Sequence, residues 1–217
     1  MTREEVRHQI RELGLIPSIR MDSAEEATFA AENILAGGIP IVEIGATIPG
    51  ANEVIRDLTR RFPTLIVGAE VVGGLDEAQR CLESGATFLT SPGLDTGLIS
   101  FCLAHQIAVL PGALTPTEVL LAHKAGGDFV KVFPCSHVGG EKYIRALKAP
   151  LPHVPLVAAG GITQSSAAQF ISAGAVALGV GEDLLPRQAI RFKEGAWIRE
   201  LAARFINFVR QARMEMR

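Results

Sequence analysis

Lys131 is the residue whose type and surroundings point most directly to chemistry, because it interrupts the apolar run at residues 129–133. Lysines are almost never fully buried in folded proteins unless they are paired. Burial disfavours the charged form of a lysine, lowers the pKa of its amine and supplies a neutral nucleophile near neutral pH. The other lysines lie in helix-like or loop-like stretches with polar neighbours, at positions 124, 142, 148 and 193. We therefore predict that Lys131 attacks a carbonyl carbon.

Eight short strand-like runs alternate with helical segments along the chain and would position this lysine. The runs cover residues 16–19, 40–44, 65–69, 87–90, 108–110, 129–133, 155–158 and 176–178. Positions near their centres are 19, 42, 67, 89, 110, 132, 157 and 178, so successive strands are 21 to 25 residues apart. This spacing is typical of a repeated unit of strand, loop, helix and loop.

Eight such units favour a closed (β/α)8 barrel, the TIM barrel of the α/β class, formed as one domain by residues 1–217. An open doubly wound sheet stays an alternative, but no Gly-x-Gly-x-x-Gly string follows the first strand. Residues 2–13 are predicted to form a helix that closes the bottom of the barrel. Residues 196–214 are predicted to form the last outer helix, which carries on one face Trp197, Leu201, Phe205, Phe208 and Val209.

Strand alternation places an acid and the lysine inside the predicted barrel. Glu43 shares one strand face with Ile41, and Lys131 shares one with Phe129 and Phe133. The opposite faces carry only valine and isoleucine, which suit contact with the outer helices. Because barrel active sites lie at the C-terminal ends of the strands, we expect the acid and the amine in one pocket. The alternative is a buried ion pair that links two strands and adds little stability, given its desolvation cost.

Composition limits the partners and the environment of the chain. Its 217 residues are 48% hydrophobic, and its net charge of −2 and pI near 6.2 provide no basic surface for nucleic acid. The apolar stretches are strand-sized and the N-terminal residues are charged, so we predict a cytoplasmic protein without membrane contact. Cys81, Cys102 and Cys135 lack metal or redox spacing, so no disulfide framework, metal or cofactor is expected. Cys135 is either a reactive thiol at the pocket rim or a small packing residue.

Five strings occur in a characteristic order. They are IVEI at 41–44, SPGL at 91–94, LPGALTPTE at 110–118, FVKVFP at 129–134 and GGI at 160–162. Together they resemble the family of 2-keto-3-deoxy-6-phosphogluconate (KDPG) and 2-keto-4-hydroxyglutarate (KHG) aldolases over nearly the whole chain. The resemblance implies a class I aldolase that forms a Schiff base, folds as a (β/α) barrel and assembles as a homotrimer. Its substrate would be a 2-keto acid, cleaved to pyruvate and an aldehyde without a metal.

The resemblance also implies roles for individual positions. Lys131 would form the Schiff base, Glu43 would be the general acid and base, and Phe133 would pack beside the imine. Thr47 corresponds to a position that helps to bind substrate, and Pro92 would shape the pocket. Three glycines would line the place where many barrels hold a phosphate through backbone N–H groups: Gly160, Gly161 and Gly181.

Four positions depart from the family pattern, namely Gly45, Val71, Ala159 and Glu182. Gly45 stands where a threonine is common, and Val71 and Ala159 remove hydroxyl groups expected near the pyruvate carboxylate. Glu182 replaces a serine, and with Asp183 it is predicted to put two negative charges at the opening of the next helix. These charges would disfavour a phosphate, so we expect a preference for an unphosphorylated 2-keto-4-hydroxy acid.

The sequence leaves two orientations open for the side chain of Glu70, which precedes Val71. It either faces solvent at the strand end or points inward, where its charge would repel a 2-keto acid and favour protonated Lys131.

Three functions stay open: an active class I lyase, another phosphate-site barrel enzyme such as an epimerase or a phosphate-ester synthase, and a catalytically silent binding or scaffold protein. Lys131 with Glu43 favours the first, and the departures from the pattern favour the third.

Overall fold

The computed structural model describes residues 1–71 and 73–216. Within these residues nine strand segments alternate with ten α-helices and one short 3-10 helix, Cys135–Val138. The strands are β1 Leu15–Ile19, β2 Ile41–Gly45, β3 Ile66–Glu70, β4 Phe88–Thr90, β5 Ala108–Leu110, β6 Gly112–Ala113, β7 Val130–Val132, β8 Leu156–Ala159 and β9 Ala177–Val180. The helices are α1 Arg3–Leu13, α2 Ala24–Ala36, α3 Ala51–Arg61, α4 Leu75–Glu83, α5 Thr96–Ala104, α6 Pro116–Lys124, α7 Glu141–Lys148, α8 Ala167–Ser172, α9 Arg187–Arg191 and α10 Gly195–Glu215.

All neighbouring strands are parallel, in the order β5-β4-β3-β2-β1-β9-β8-β7-β6. The first and last strands of this order, β5 and β6, are joined in the chain by Pro111, so the sheet closes into a barrel. The fifth predicted strand is β5, and Pro111 separates it from β6, because proline has no backbone N–H to give to the ladder. The Lys131 N–H donates to the Pro111 carbonyl at 2.9 Å, and the Asp128 N–H donates to Val109 at 2.9 Å. The predicted (β/α) barrel is confirmed, with nine strand segments in place of eight.

Helix α1 lies at the N-terminal ends of the strands, as predicted for a helix that closes the bottom. Its first turn carries a capping box between Thr2 and Glu5. Arg3 and Arg7 reach the carboxylate of Asp128, at 2.8 Å and 3.0 Å, directly before β7. The Asp128 side chain is only 2% exposed and also accepts a hydrogen bond from the Val109 N–H at 2.9 Å. The helix is therefore tied to the base of two strands.

Helix α10 packs against α2 and α8 on the outside of the barrel. Its buried face includes Leu201, Phe205 and Val209, as predicted. Trp197 lines a cavity together with Leu201 of the same face, and it is 37% exposed. None of the helices in the described residues has both the length and the apolar character needed to cross a membrane.

The strand register brings polar side chains of different strands to one level of the barrel. Glu43 is paired with Ser18 of β1 and with Gly68 of β3. Glu70, two residues after Gly68, is paired with Thr90 of β4. Gly68 leaves room for the Phe88 ring, since a β-carbon there would lie 2.2 Å from it. The polar groups therefore lie above an apolar layer, toward the C-terminal ends of the strands.

Candidate active site

Lys131 and Glu43 meet inside the barrel. The Lys131 side chain is 4% exposed, and its Nζ lies 3.0 Å from Glu43 Oε1 and 3.2 Å from Oε2. Nζ also lies 2.9 Å from Glu70 Oε1 and 3.4 Å from the Thr90 hydroxyl. The structure thus brings together the two residues that the strand pattern places in one pocket, and it adds a second carboxylate.

Two hydroxyl groups hold the Glu43 carboxylate against the lysine. Ser18 Oγ donates a hydrogen bond to Glu43 Oε1 at 2.8 Å, and Thr90 Oγ1 donates one to Oε2 at 2.8 Å. Each carboxylate oxygen therefore has a neutral donor in addition to the Lys131 ammonium. This arrangement fixes the position of Glu43 without adding another full charge beside it.

Glu70 points into the barrel, so the alternative in which it faces solvent is wrong. Arg20 binds it with two hydrogen bonds, from Nε to Oε2 at 2.8 Å and from Nη2 to Oε1 at 2.6 Å. Burial by itself raises the pKa of Glu70, but the charge of Lys131 and the hydrogen bonds and charge of Arg20 outweigh it. The pKa of Glu70 therefore lies below its ordinary value.

The charges of this buried group balance, with two carboxylates, one ammonium and one guanidinium. The two carboxylates beside Lys131 stabilise its ammonium form, which opposes the effect of burial. The sequence prediction took burial as the source of a neutral amine and left the orientation of Glu70 open. The structure shows that Glu70 must be included in any account of how Lys131 becomes reactive.

Sequence reasoning missed three residues of this group: Ser18, Arg20 and Thr90. All three are polar residues in the C-terminal half of a barrel strand or directly after it. Ser18 lies in β1, Thr90 ends β4, and Arg20 follows β1. The same criterion that selects Glu43 and Lys131 would have found them, because active-site side chains of barrels come from these strand ends.

A cavity of about 810 Å³ opens from Lys131 toward the loops after β7, β8 and β9. Of the predicted site residues, Phe133, Gly160, Gly161 and Gly181 line it together with Lys131. The Arg20 guanidinium also lines it and lies 5.7 Å from the centre of the Phe133 ring. The outer part of the cavity is bounded by Trp197, Leu201, Pro186 and Ile162.

Gly160 and Gly161 form a wall of the cavity that only glycine can build. Both have positive φ angles, +86° and +81°. A β-carbon on Gly160 would lie 2.9 Å from the Phe133 ring, and one on Gly161 would lie 2.7 Å from the Ser136 β-carbon. Ser136 anchors this loop, since its N–H donates to the Gly160 carbonyl at 3.1 Å and its hydroxyl donates to the Gly161 carbonyl at 2.8 Å.

Thr47 and Pro92, two further predicted site residues, are not among the residues that line the cavity. Thr47 is exposed in the turn between β2 and α3. Pro92 is half-buried and packs its backbone against β6, where a β-carbon on Gly112 would lie 2.2 Å from the Pro92 carbonyl. Their roles in substrate binding stay predictions.

The two acidic residues after β9 line the cavity, but they do not open a helix. Helix α9 begins at Arg187, after Pro186, so the predicted position of Glu182 and Asp183 at a helix start is wrong. Asp183 instead accepts a hydrogen bond from the Gln164 N–H at 2.7 Å, which holds the loop after β8. Glu182 is exposed at the cavity edge.

Cys135 is a buried packing residue, not a reactive thiol. Burial raises the pKa of its thiol to about 11, so the nucleophilic thiolate is scarce. Its Sγ lies 3.9 Å from the Gly160 carbonyl oxygen. The reactive alternative for this cysteine has no support in its surroundings.

Comparison with known proteins identifies the family. The sequence profile of KDPG and KHG aldolase matches residues 6–201. The chain belongs to this aldolase family. It is 28% identical to 2-dehydro-3-deoxy-phosphogluconate aldolase of Treponema pallidum, over 90% of this chain and 93% of the relative. It is 29% identical to the KHG/KDPG aldolase of Escherichia coli K12, over 87% of this chain and 88% of the relative. The family that the five sequence strings indicate is confirmed.

Solved structures of similar aldolases share the barrel. A KDPG aldolase from Legionella pneumophila, with pyruvate captured at low pH as a covalent carbinolamine intermediate, is 26% identical. Its TM-score is 0.84, and the match covers 91% of this chain and 96% of that chain. A cube-shaped protein cage designed by fusing symmetric oligomeric domains is 28% identical, with a TM-score of 0.85 over 94% of this chain and 75% of that chain. The prediction of an enzyme of the aldolase class is confirmed.

Proposed function

We propose that this protein is a class I aldolase that cleaves a 2-keto-4-hydroxy acid to pyruvate and an aldehyde through a Schiff base on Lys131. The observation that carries the proposal is the contact between the buried Lys131 Nζ and Glu43, at 3.0 Å, at the inner end of a cavity. The carbinolamine described for the Legionella pneumophila relative supports the same chemistry here.

The proposed reaction begins when Lys131 passes a proton to Glu43, its neutral amine adds to the C2 ketone, and Glu43 returns the proton to the carbinolamine hydroxyl. The carbinolamine then loses water and becomes a protonated imine, which accepts the electron pair of the C3–C4 bond as that bond breaks. Glu43 accepts the proton of the C4 hydroxyl, the aldehyde leaves, and Glu43 gives this proton to C3 of the enamine before water releases pyruvate and restores Lys131. Ser18 and Thr90 hold Glu43 beside the Lys131 nitrogen, where the proposed proton transfers take place.

We assign recognition of the substrate carboxylate to Arg20. The hydroxyl groups common in the family are replaced by Val71, which is buried, and by Ala159, which lines the cavity. Arg20 also lines the cavity, and its Nη1 takes no part in the two hydrogen bonds to Glu70. A guanidinium has five N–H donors, so it can bind a substrate carboxylate while it keeps Glu70.

Borohydride reduction in the presence of pyruvate tests the proposed function. We expect a stable adduct on the peptide that contains residue 131 in the wild type and none in Lys131→Arg, measured by mass spectrometry. Arginine keeps the positive charge between the two carboxylates but cannot form an imine, so the comparison isolates the nucleophile. An unmodified wild-type peptide, or an adduct on another lysine, would overturn the proposal.

The acidic cavity edge leads to a prediction about phosphate. Glu182 and Asp183 line the cavity beside Gly160 and Gly161, so a phosphate dianion would meet two negative charges. We expect a higher kcat/KM for KHG than for KDPG. Replacing Glu182 with serine is expected to raise kcat/KM for KDPG about two- to fivefold, the scale of an exposed charge interaction, and to leave KHG nearly unchanged.

Steady-state cleavage assays of both substrates at low and high salt measure this effect. Glu12→Ser is the matched control, because Glu12 is exposed near the end of α1, at the opposite end of the barrel. A clear wild-type preference for KDPG would show that the acidic edge does not select against phosphate.

Assembly and location stay proposals as well. We propose a homotrimer of single-domain barrels in the cytoplasm, following the family resemblance and the composition. The similar cage built by fusing symmetric oligomeric domains supports an oligomer.

A further inference from the structure

The proposed reaction gives no role to Glu70, although its carboxylate makes the shortest contact with the Lys131 nitrogen, at 2.9 Å. Glu70 is 6% exposed and ends β3, in register with Gly45 and Thr90 of the neighbouring strands. A buried charge in this position is costly unless it is fully paired. Both Lys131 and Arg20 pair with Glu70, so the fold keeps a second anion beside the nitrogen.

The two carboxylates beside Lys131 differ in the partners that hold them. Glu43 accepts hydrogen bonds from two neutral hydroxyl groups, of Ser18 and Thr90. Glu70 accepts two from the guanidinium of Arg20, which stays charged at every pH of interest. The second full positive charge keeps the Glu70 carboxylate ionised. Carboxylates in such different environments commonly take different roles in one reaction.

We propose that Glu70 is the permanent counter-ion of the Lys131 nitrogen: it stays ionised throughout the cycle and stabilises the protonated imine, while Glu43 carries the protons. This inference rests on the proposed function. Nitrogen is positively charged both in the ammonium before attack and in the imine before cleavage. A fixed anion at hydrogen-bond distance from that atom stabilises both species, and no proton moves to Glu70 in any step.

A counter-ion in this position acts in opposite directions on two steps. It stabilises the ammonium, so it reduces the neutral amine that is available to attack the ketone. It also stabilises the protonated imine, which is the species that accepts electrons when the C3–C4 bond breaks. A residue with a purely structural role would slow both steps together when it is changed. The signs of the two effects therefore identify the role.

Other charged and titratable groups face this site and enter its pH dependence. Three groups contact the Lys131 nitrogen: Glu43 of β2, Glu70 of β3 and the neutral Thr90 of β4. Arg20, directly after β1, binds Glu70. The outer cavity wall adds His137, Glu182, Asp183 and Arg187. Because a Glu70 variant leaves the other groups in place, a change in the pH profile reports on the removed carboxylate.

Glu70→Gln tests the proposal. With pyruvate and timed borohydride trapping, the pH of half-maximal imine formation is expected to fall by about one unit or more, so the imine forms faster below that pH. In steady-state cleavage kcat is expected to fall about 10- to 100-fold, since one pKa unit of the imine nitrogen corresponds to about tenfold in its protonated fraction. Glu70→Asp keeps the charge and is expected to keep the wild-type direction of both measurements.

Two results would overturn the counter-ion role: a decrease of both rates in Glu70→Gln, or no change in either. Failure of the wild type to trap pyruvate would instead overturn the proposed function, so the two failures are distinguishable.

Arg20→Gln provides a second variant should Glu70→Gln not fold. Loss of Arg20 raises the pKa of Glu70, so the acid limb of the kcat profile is expected to move to higher pH. An acid limb that stays in place would also count against the proposal.

Discussion

Lys131→Met is expected to abolish turnover and to destabilise the fold at the same time. Methionine has a similar length but cannot form an imine, so kcat should fall by about 10⁴-fold or more, as when other enzymes lose a nucleophile. The substitution also leaves Glu43 and Glu70 buried near one another without their shared cation. Breaking a buried ion pair in this way typically costs about 3–5 kcal/mol of unfolding free energy. Cleavage assays and urea denaturation measure the two effects.

A triple variant separates catalysis from stability. Adding Glu43→Gln and Glu70→Gln to Lys131→Met removes the uncompensated charges, so the free energy of unfolding should recover while activity stays absent. Lys124→Met, a change of an exposed lysine on α6, is the control and should affect neither measurement. Retained turnover in Lys131→Met would rule out the imine. Full stability of that single variant would show that the carboxylates find other partners.

The barrel could be predicted from the sequence because its strands recur at a regular spacing and each βα unit repeats the same local pattern. The chain closes around a fully buried parallel sheet, whose strands appear as short apolar runs. The strand segment β6 beyond Pro111 was not predicted, because a proline in an apolar run usually marks the end of a strand. Helical periodicity placed Trp197 on the face of Leu201, but it does not show how far a neighbour covers each residue, and Trp197 is 37% exposed.

The contact between Lys131 and Glu43 could be anticipated, since alternation within a strand fixes which side chains share the interior. The partners Ser18 and Thr90 carry no charge and are common in strands, so they attracted no attention. The Arg20–Glu70 pair depends on strand register and on a side chain beyond the end of β1, which one sequence does not specify. Thr47 and Pro92 came from the family pattern, and in this chain they lie outside the cavity lining.

Glu43→Gln is expected to lower kcat for cleavage by about 10²- to 10⁴-fold, the usual contribution of a general acid and base. Glutamine keeps the size of the side chain, and its amide can accept a hydrogen bond from one of the hydroxyl groups of Ser18 and Thr90 and donate one to the other. It cannot take the C4 hydroxyl proton. Borohydride should still trap pyruvate on Lys131 after long incubation, because Glu70 continues to stabilise the nitrogen cation. Steady-state assays and mass spectrometry of the trapped peptide measure the two outcomes.

Exchange of the pyruvate methyl hydrogens with deuterated water isolates the proton-transfer step, because it requires the imine and a base but no aldehyde. Glu43→Gln is expected to slow this exchange in parallel with cleavage, whereas Glu53→Gln, at an exposed position on α3, is expected to slow neither. Glu70→Gln should slow exchange only through the smaller protonated fraction of the imine, so lowering the pH should restore its rate. Acid rescue of Glu43→Gln in place of Glu70→Gln would reverse the two assignments, with Glu70 as the proton carrier and Glu43 as the counter-ion.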